Sequence, residues 1–558
     1  MLKDGMIYTG RTEDGREIGI LPKMANRHGL IAGATGTGKT VTLKGLAESF
    51  SDLGVPVFLA DVKGDLAGMI HPGIESDDMR ARMEKFSLEG TGFQLHSYPT
   101  VFWDIYGKKG IQLRTTISEM GPLLLSRILS LNDIQSQILT VAFKVADDNS
   151  LLLIDTKDLK AMLNWLDDHK AELKDDYGNI SSASIAAIIR SLTALEMDGG
   201  DIFFGETALD IKDLFTLDAS GKGVIHILDS ESLINHPALY STFLLYLLSE
   251  LFETLPEVGD QEKPKMVFFF DEAHLLFDGA SKDLLSKIEQ VVRLIRSKGI
   301  GIYFVTQSPS DVPDSILAQL GNKIQHGLRA YTPAEQKRVK AAAMAFRENP
   351  AFDTYETLLN LPTAQAVVSF LDEKGTPAVC EKVAILPPQS QMGPIEDAER
   401  DSRVKSSILY SKYATAVDPD SAYEFLQRKG LEEAAAAEQA AKQEAEEKQK
   451  AAEAAAAEKQ RQKEEAAAEK QRQREEAAAE KQRLKEEAAR EKAEEKERVQ
   501  AANARKRAAK NVARSVVGSL GREAGRAVGK NFGQFGKNLG GNVGSSLARG
   551  LLNTLFKS

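Results

Sequence analysis

A single cysteine, Cys380, occurs in 558 residues, so no internal disulfide can form, and the strand-like stretch around it marks an inert core thiol. No apolar run reaches the roughly 18 residues that a membrane span needs. Met1-Leu2-Lys3-Asp4-Gly5 leads straight into polar sequence, without a secretory pattern. These absences predict a cytoplasmic, reducing setting. Gly and Pro, the strongest breakers of a helix, are missing between Leu431 and Lys510. Positive charge is outnumbered by acids in the body of the chain and prevails only at its end. From Arg505 onward eleven Lys and Arg face one acid, Glu523, a net of +10; with −10 for the whole chain, residues 1–504 carry −20. An acidic body with a basic tail predicts an anionic partner for the tail, a nucleic acid or a membrane surface.

What is present speaks most clearly at residues 33–40. Gly33-Ala34-Thr35-Gly36-Thr37-Gly38-Lys39-Thr40 matches G-x-x-x-x-G-K-[ST], a phosphate-cradling loop. Leu30-Ile31-Ala32 before it reads as a strand, and Val41 to Phe50 after it as a helix. The glycines let successive N–H groups point at phosphates over a helix N-terminus that favours negative charge. Gly33 to Val41 is therefore the predicted nucleotide-binding stretch. In it Lys39 reaches the β- and γ-phosphates of ATP and Thr40 holds Mg²⁺.

The size allows two or more domains. Short apolar strands recur between helical segments: Leu30–Gly33, Val55–Asp61, Val224–Asp229, Met266–Asp271, Gly301–Thr306 and Lys323–Leu328. Such strands, with no polar alternation, predict an α/β fold with a mainly parallel sheet covered on both faces. Residues 70–222 read as a helical insertion between sheet strands, with Ser126–Val145 and Leu151–Asp168 as helices. Residues 1–395 form the predicted globular domain, and 396–430 a linker with short helices.

Residues 431–510 are mostly Ala, Glu, Lys, Arg and Gln. An eleven-residue unit repeats from Glu458, Glu469 and Glu480, that is 3.67 residues per turn. Arg461–Glu465, Arg472–Glu476 and Arg483–Glu487 fall at i, i+4. Leu484 is the only large apolar residue in the three repeats. The segment reads as a long solvated spacer helix or a loose self-associating coiled coil, able to hold a protein partner. Residues 511–558 form a glycine-rich basic tail with Gly521, Gly525, Gly529 and Gly533 spaced by four. It is either disordered or a peripheral contact with membrane or nucleic acid.

A phosphate loop needs an acidic strand end. Met266-Val267-Phe268-Phe269-Phe270 runs into Asp271-Glu272, which predicts Asp271 in the Mg²⁺ shell and Glu272 polarising the attacking water. The letters Asp271-Glu272-Ala273-His274 also spell the box of a large helicase superfamily. That assignment is excluded, because the Q-x-x-G-R-x-G-R motif of its second lobe does not occur. His274 is then a packing or supporting residue. Gly301–Thr306 is followed by Gln307, placed to sense the γ-phosphate or the water. Arg293 and Arg296 lie on the polar face of a helix at Lys282–Ser297. In a ring, Arg296 is the leading candidate to reach a neighbour's γ-phosphate, with Arg329 and Arg114 as alternatives.

Asn26-Arg27-His28-Gly29, Asp61-Val62-Lys63-Gly64, Asp271-Glu272 and Thr306-Gln307-Ser308-Pro309-Ser310-Asp311 together resemble the HerA/FtsK class of ATPases. Within that class the chain is similar to bacterial proteins of the HerA-like helicase C-terminal family, of the YjgR type. Arg114–Pro122 and Leu386-Pro387-Pro388 add to the likeness, which covers about residues 1–395. It implies a RecA-like fold, hexameric rings, ATP hydrolysis with Mg²⁺ and movement of DNA or protein through a pore. It also places Arg296 where translocase relatives carry a trans-acting arginine. Two features depart from the class. Only about 25 residues precede the phosphate-loop strand, enough for a hairpin (Met6–Thr9, Glu17–Leu21) but not for the β-barrel of HerA-type proteins. Neither membrane spans nor a DNA-reading winged helix is found. The leading expectation is a homo-hexameric ATP-driven DNA motor. The alternative is an ATP-dependent switch or scaffold for protein or membrane partners. A helicase proper lacks a dedicated strand-separating wedge.

Overall fold

The computed structural model describes residues 1–278 and 282–502. They fall into two compact units, Met1–Ala440 and one beginning at Ala441.

The first unit is organised on one sheet. Its strands in chain order are β1 (Leu2–Lys3), β2 (Met6–Thr12), β3 (Glu17–Ile20), β4 (Gly29–Ala32), β5 (Val57–Asp61), β6 (Thr100–Asp104), β7 (Ile111–Gln112), β8 (Ile225–Asp229), β9 (Met266–Phe270), β10 (Ile300–Thr306), β11 (Asn322–His326), β12 (Gln365–Ser369) and β13 (Glu381–Ile385). They pair in the order β1-β2-β13-β12-β11-β4-β10-β9-β5-β8-β6-β7, with β3 on β2. Every pair from β11 to β7 is parallel. β12, β13 and the amino-terminal hairpin extend the sheet antiparallel. The stretch β11-β4-β10-β9-β5 is the RecA-like order, with β10 between the phosphate-loop strand and the acidic strand. Parallel strands covered on both faces must be apolar throughout, and β4, β5, β8, β9 and β10 are buried at every position. Phe269 sits over Tyr303 with ring centroids 5.2 Å apart, and Phe58 over Phe268 at 5.4 Å.

Residues 70–222 differ from their sequence reading in three places. β6 and β7 lie inside this segment and join the sheet through β8, with Val101 opposite His226. β6 is short and flanked by polar turns, too weak a pattern to read as a strand. The single helix expected over Ser126–Val145 is broken into Ile117–Ile128 and Asp133–Asp148. Between them Asn132 accepts from Gln135 N at 3.0 Å, and Gln135 accepts from Asn132 N at 3.1 Å, a capping box that starts a new helix. The expected Leu151–Asp168 helix begins only at Thr156. Leu153 and Ile154 instead give their carbonyls to Ser118 N and Ile117 N, and Asp155 caps.

Residues 396–430 belong to the first unit and pack onto it. Buried Arg400 pairs with buried Asp229 at 3.5 Å, and Tyr413 is fully buried against Trp103. The helix Ala422–Ala502 begins there, its first turn held where Asp158 accepts from Tyr423 N at 2.8 Å. From Leu431 to Glu487 every residue of this helix is exposed. Arg461–Glu465 is paired at 3.8 Å, and Gln460–Glu464 and Gln471–Glu475 are hydrogen-bonded at 3.1 and 3.4 Å, each pair at i, i+4. No single described helix is long and apolar enough to cross a membrane. The glycine-rich tail lies outside the described residues.

Candidate nucleotide site

The carboxyl edge of the parallel strands carries the site, because strand register brings distant residues to one level. Ala32, just before the phosphate loop, is opposite Thr306. Phe304 is opposite Phe270, and Leu59 opposite Phe269, which sets Asp271 level with Asp61. Asp61 is in turn opposite Asp229. The loop Gly33–Gly38 leads from β4 into the helix Lys39–Asp52. Gly36 and Gly38 have φ of 77° and 111°, the left-handed side that glycine enters without penalty. A Cβ on Gly33 would lie 2.5 Å from the Cβ of His326, so the loop closes against β11 only as glycine.

Lys39 is 7% exposed and donates to the loop's own carbonyls, Gly33 O at 2.6 Å and Ala34 O at 3.3 Å. Burial pulls its ammonium below the ordinary lysine range, Lys63 adds to this, and Glu272, Asp271 and Asp311 oppose it. Burial, with the charge of Glu272, pushes the Asp271 carboxyl up to about 6. Tyr240 donates its hydroxyl to Asp271 O at 2.8 Å. Glu272 stands in the left-handed region at φ 49°, a costly backbone for a side chain of that size. Its Oε2 is buried with no hydrogen-bond partner; His274 Nδ1 approaches to 3.4 Å without the geometry of a hydrogen bond. A strained glutamate with an orphaned buried oxygen, beside a second acid and a lysine, fits a bound water, a cation and a triphosphate. The residues present thus suit magnesium and nucleotide.

Gln307 follows β10 between the phosphate loop and Asp271 and is exposed. Thr306 below it donates to Asp311 at 2.7 Å, and Asp311 also accepts from Ser308 N at 2.9 Å, which fixes the turn. Lys39, Thr40, Asp271, Glu272 and Gln307 are therefore brought to one edge. Arg296 is not. It is exposed and precedes β10, whose seven residues span roughly 20 Å. Arg296 faces away from this site, with Arg27 and Asp260 as its charged neighbours. Arg329 is exposed just past β11. Arg114 is buried and donates to Tyr413 O at 2.9 Å, which makes it a packing residue.

Sequence reasoning missed several residues here. His326 on β11 is buried and braces the loop from the side. Its Nδ1–H donates to Gln365 O at 3.0 Å, so Nε2 accepts the Thr42 hydroxyl at 2.8 Å, and burial holds its pKa at about 4. Ala34 N donates to Gly327 O, and Ala364 N to Thr37 O, both at 3.0 Å. No sequence signal marks these partners, because they depend on β11 and β12 folding back beside β4. Asp61 ends a predicted strand and belongs to the family resemblance, but nothing in the sequence gives its side chain a role. Its carboxylate accepts from the N–H groups of Lys63, Gly64, Asp65 and Leu66, tying the turn after β5 into one conformation.

The family model described as "Helicase HerA-like C-terminal" matches residues 7–534, extending past residue 395 through the helical repeat into the tail. The DNA double-strand break repair helicase HerA of Sulfolobus acidocaldarius is 22% identical over 355 residues, 63% of this chain and 64% of the relative. A probable helicase of Methanocaldococcus jannaschii is 29% identical over 125 residues, 22% of each chain. The chain thus spans less than two thirds of the length of the curated relatives it matches. The structure of VirB4 of Thermoanaerobacter pseudethanolicus is similar with a TM-score of 0.46 and 17% identity, over 69% of this chain and 97% of that one. With its phosphate loop, acidic strand end and glutamine strand on one edge, and a match across nearly its whole length, the chain belongs to the HerA-like helicase C-terminal family.

Proposed function

We propose that this chain binds ATP with Mg²⁺, hydrolyses it, and works as a subunit of a homo-hexameric ring that moves DNA in the cytoplasm. The observation that carries the ATPase reading is the convergence of Lys39, Thr40, Asp271, Glu272 and Gln307 on one sheet edge, with Glu272 strained and its Oε2 unpartnered. In this reading Gly33 to Val41 cradle the triphosphate and Lys39 exchanges its bonds to Gly33 O and Ala34 O for phosphate oxygens. Thr40 and Asp271 hold the Mg²⁺, which neutralises charge on the phosphates. The Glu272 carboxylate accepts a hydrogen bond from the attacking water and aligns it. Gln307, at the head of β10, contacts the same water or the γ-phosphate. Arg296 acts on the neighbouring subunit's nucleotide, consistent with its place away from its own. Family membership and the kinship to HerA support DNA as the substrate.

A second reading, an ATP-dependent switch or scaffold, is favoured by the long, fully exposed helix with its paired repeat. A protein partner would then meet the repeat, or a membrane surface the basic tail. Steady-state ATPase activity with and without double-stranded DNA across a salt series separates the two. Salt-sensitive stimulation supports the motor, and indifference to DNA supports the switch. Lys39→Ala is expected to abolish nucleotide binding, whereas Glu272→Gln binds ATP and hydrolyses it at least about 10²-fold more slowly. Normal turnover in Glu272→Gln removes that glutamate from its role.

A further inference from the structure

The acidic strand end leads into a helix of only four residues, His274–Phe277. So short a helix has too few bonds of its own to keep a direction, and its neighbours supply the rest. Ala273 N donates to Val305 O of β10 at 3.0 Å, and Leu275 N donates to Glu272 O at 3.0 Å. Phe277 stands edge-on to Phe304 of β10, with ring centroids 5.7 Å apart. From the helical insertion, Arg127 donates to Leu276 O at 3.0 Å and to Leu275 O at 3.3 Å. The backbone that carries His274 is thus fixed from β10 on one side and from the insertion on the other. The His274 side chain is half-buried, and its Nδ1 lies 3.4 Å from Glu272 Oε2. That oxygen is the buried one without a hydrogen-bond partner. The Glu272 backbone is held as well, its N–H donating to Asp271 Oδ1 at 2.9 Å.

Resting on the nucleotide reading above, we propose that His274 is a positioning residue for Glu272: its Nδ1–H donates to Oε2 as the carboxylate turns to meet the attacking water, and so aims Oε1 at that water. A carboxylate has two equivalent oxygens and rotates freely about its last bond. A donor fixed on one oxygen decides which lone pairs face the reacting group. Both the Nδ1–H tautomer of the neutral ring and the charged ring supply that donor. Closing the bond takes a small turn of the glutamate side chain, since both backbones are already set. Arg127 and Val305 hold the short helix, and His274 makes the contact that the helix positions.

The test uses the full chain, single-turnover hydrolysis of ATP with Mg²⁺, and equilibrium binding of a fluorescent non-hydrolysable ATP analogue. His274→Ala is expected to slow hydrolysis about 10- to 100-fold, the cost of a misaimed reacting group, and to leave analogue affinity within about twofold. His274→Asn, whose side-chain amide keeps a donor near the Nδ1 position, is expected to restore most of the rate. In a chain that already carries Glu272→Gln, adding His274→Ala is expected to change the residual rate by less than about twofold, because two residues that act as a unit are not additive. Unchanged hydrolysis in His274→Ala overturns the proposal. So does an His274→Asn defect as large as that of His274→Ala, and so does an undiminished further loss in the Glu272→Gln chain. Loss of analogue binding in both His274 variants overturns it too, since the residue then serves the fold and not the glutamate. Failure of the nucleotide reading itself looks different: the unmodified chain then binds no analogue, or Glu272→Gln hydrolyses ATP at the normal rate.

Discussion

His28 shows how a single residue sets the frame of the site. It is buried at the entry to β4, its Nε2–H donates to Val292 O at 2.8 Å, and its Nδ1 accepts from Ile302 N at 3.0 Å. Both nitrogens are engaged and only the neutral ring fits, so burial lowers its pKa to about 4 from 6.5. A base with a depressed folded pKa contributes its stability in full above 6.5. That contribution falls as pH drops from 6.5 through 4, because the unfolded chain takes up the proton first. The shift corresponds to a contribution on the order of 3 kcal/mol. His28→Gln is therefore expected to flatten the dependence of unfolding free energy on pH between 6.5 and 4, measured by denaturant titration at several pH values. An equal slope in both chains removes His28 from that role. Glu272 is the opposite case, a residue whose local geometry is unfavourable and is held by its surroundings, as happens where chemistry is done.

Among the elements, the sheet and the long helix obey different rules. β9 and β10 are buried on both faces and owe their stability to packing. The helix Ala422–Ala502 buries nothing from Leu431 to Glu487 and depends on propensity and on pairs at i, i+4. A proline inside it costs about 3 kcal/mol of helix locally, and the first unit has no reason to feel the change. Ala466→Pro is expected to reduce the helical circular dichroism signal while the thermal midpoint of the first unit stays put. A large fall in that midpoint would show that the helix is structurally coupled to the first unit. The Asn132 capping box makes the same point for a short segment, since two reciprocal hydrogen bonds suffice to end one helix and begin another.

For the whole molecule, the decisive feature is that Arg296, before β10, and Glu272, after β9, lie at opposite ends of two neighbouring parallel strands of one chain. Acting together, they must meet across an interface. Arg296→Ala is expected to bind nucleotide and lose hydrolysis, as is Glu272→Gln. If the chain assembles as the ring proposed above, then in rings mixed one to one about a quarter of the interfaces join an intact glutamate to an intact arginine and regain activity. Activity in the mixture, absent from either parent, measures this directly. No recovery returns Arg296 to an ordinary solvated side chain.

Much of the site was legible in the sequence because its chemistry is local. Gly33 to Thr40 carries its function in consecutive residues, and Asp271-Glu272 ends an apolar run that nothing but a buried strand explains. The strand set from Leu30 to Leu328 was legible for the same reason: an uninterrupted apolar pattern demands cover on both faces. β6 and the break at Asn132 were not, since only Val101 to Trp103 are apolar in β6, between polar turns, and a capping box acts through bonds that the residue letters alone do not fix. What only the tertiary structure decided is adjacency. That β10 separates β4 from β9, and that His326 meets Thr42 across 284 residues and closes on Gly33 of the phosphate loop, both follow from which strands pair and in what register. A chain can write a loop's backbone freedom and a strand's apolarity into consecutive letters. The partners of a buried polar group are set by packing between distant segments, and no local pattern encodes them.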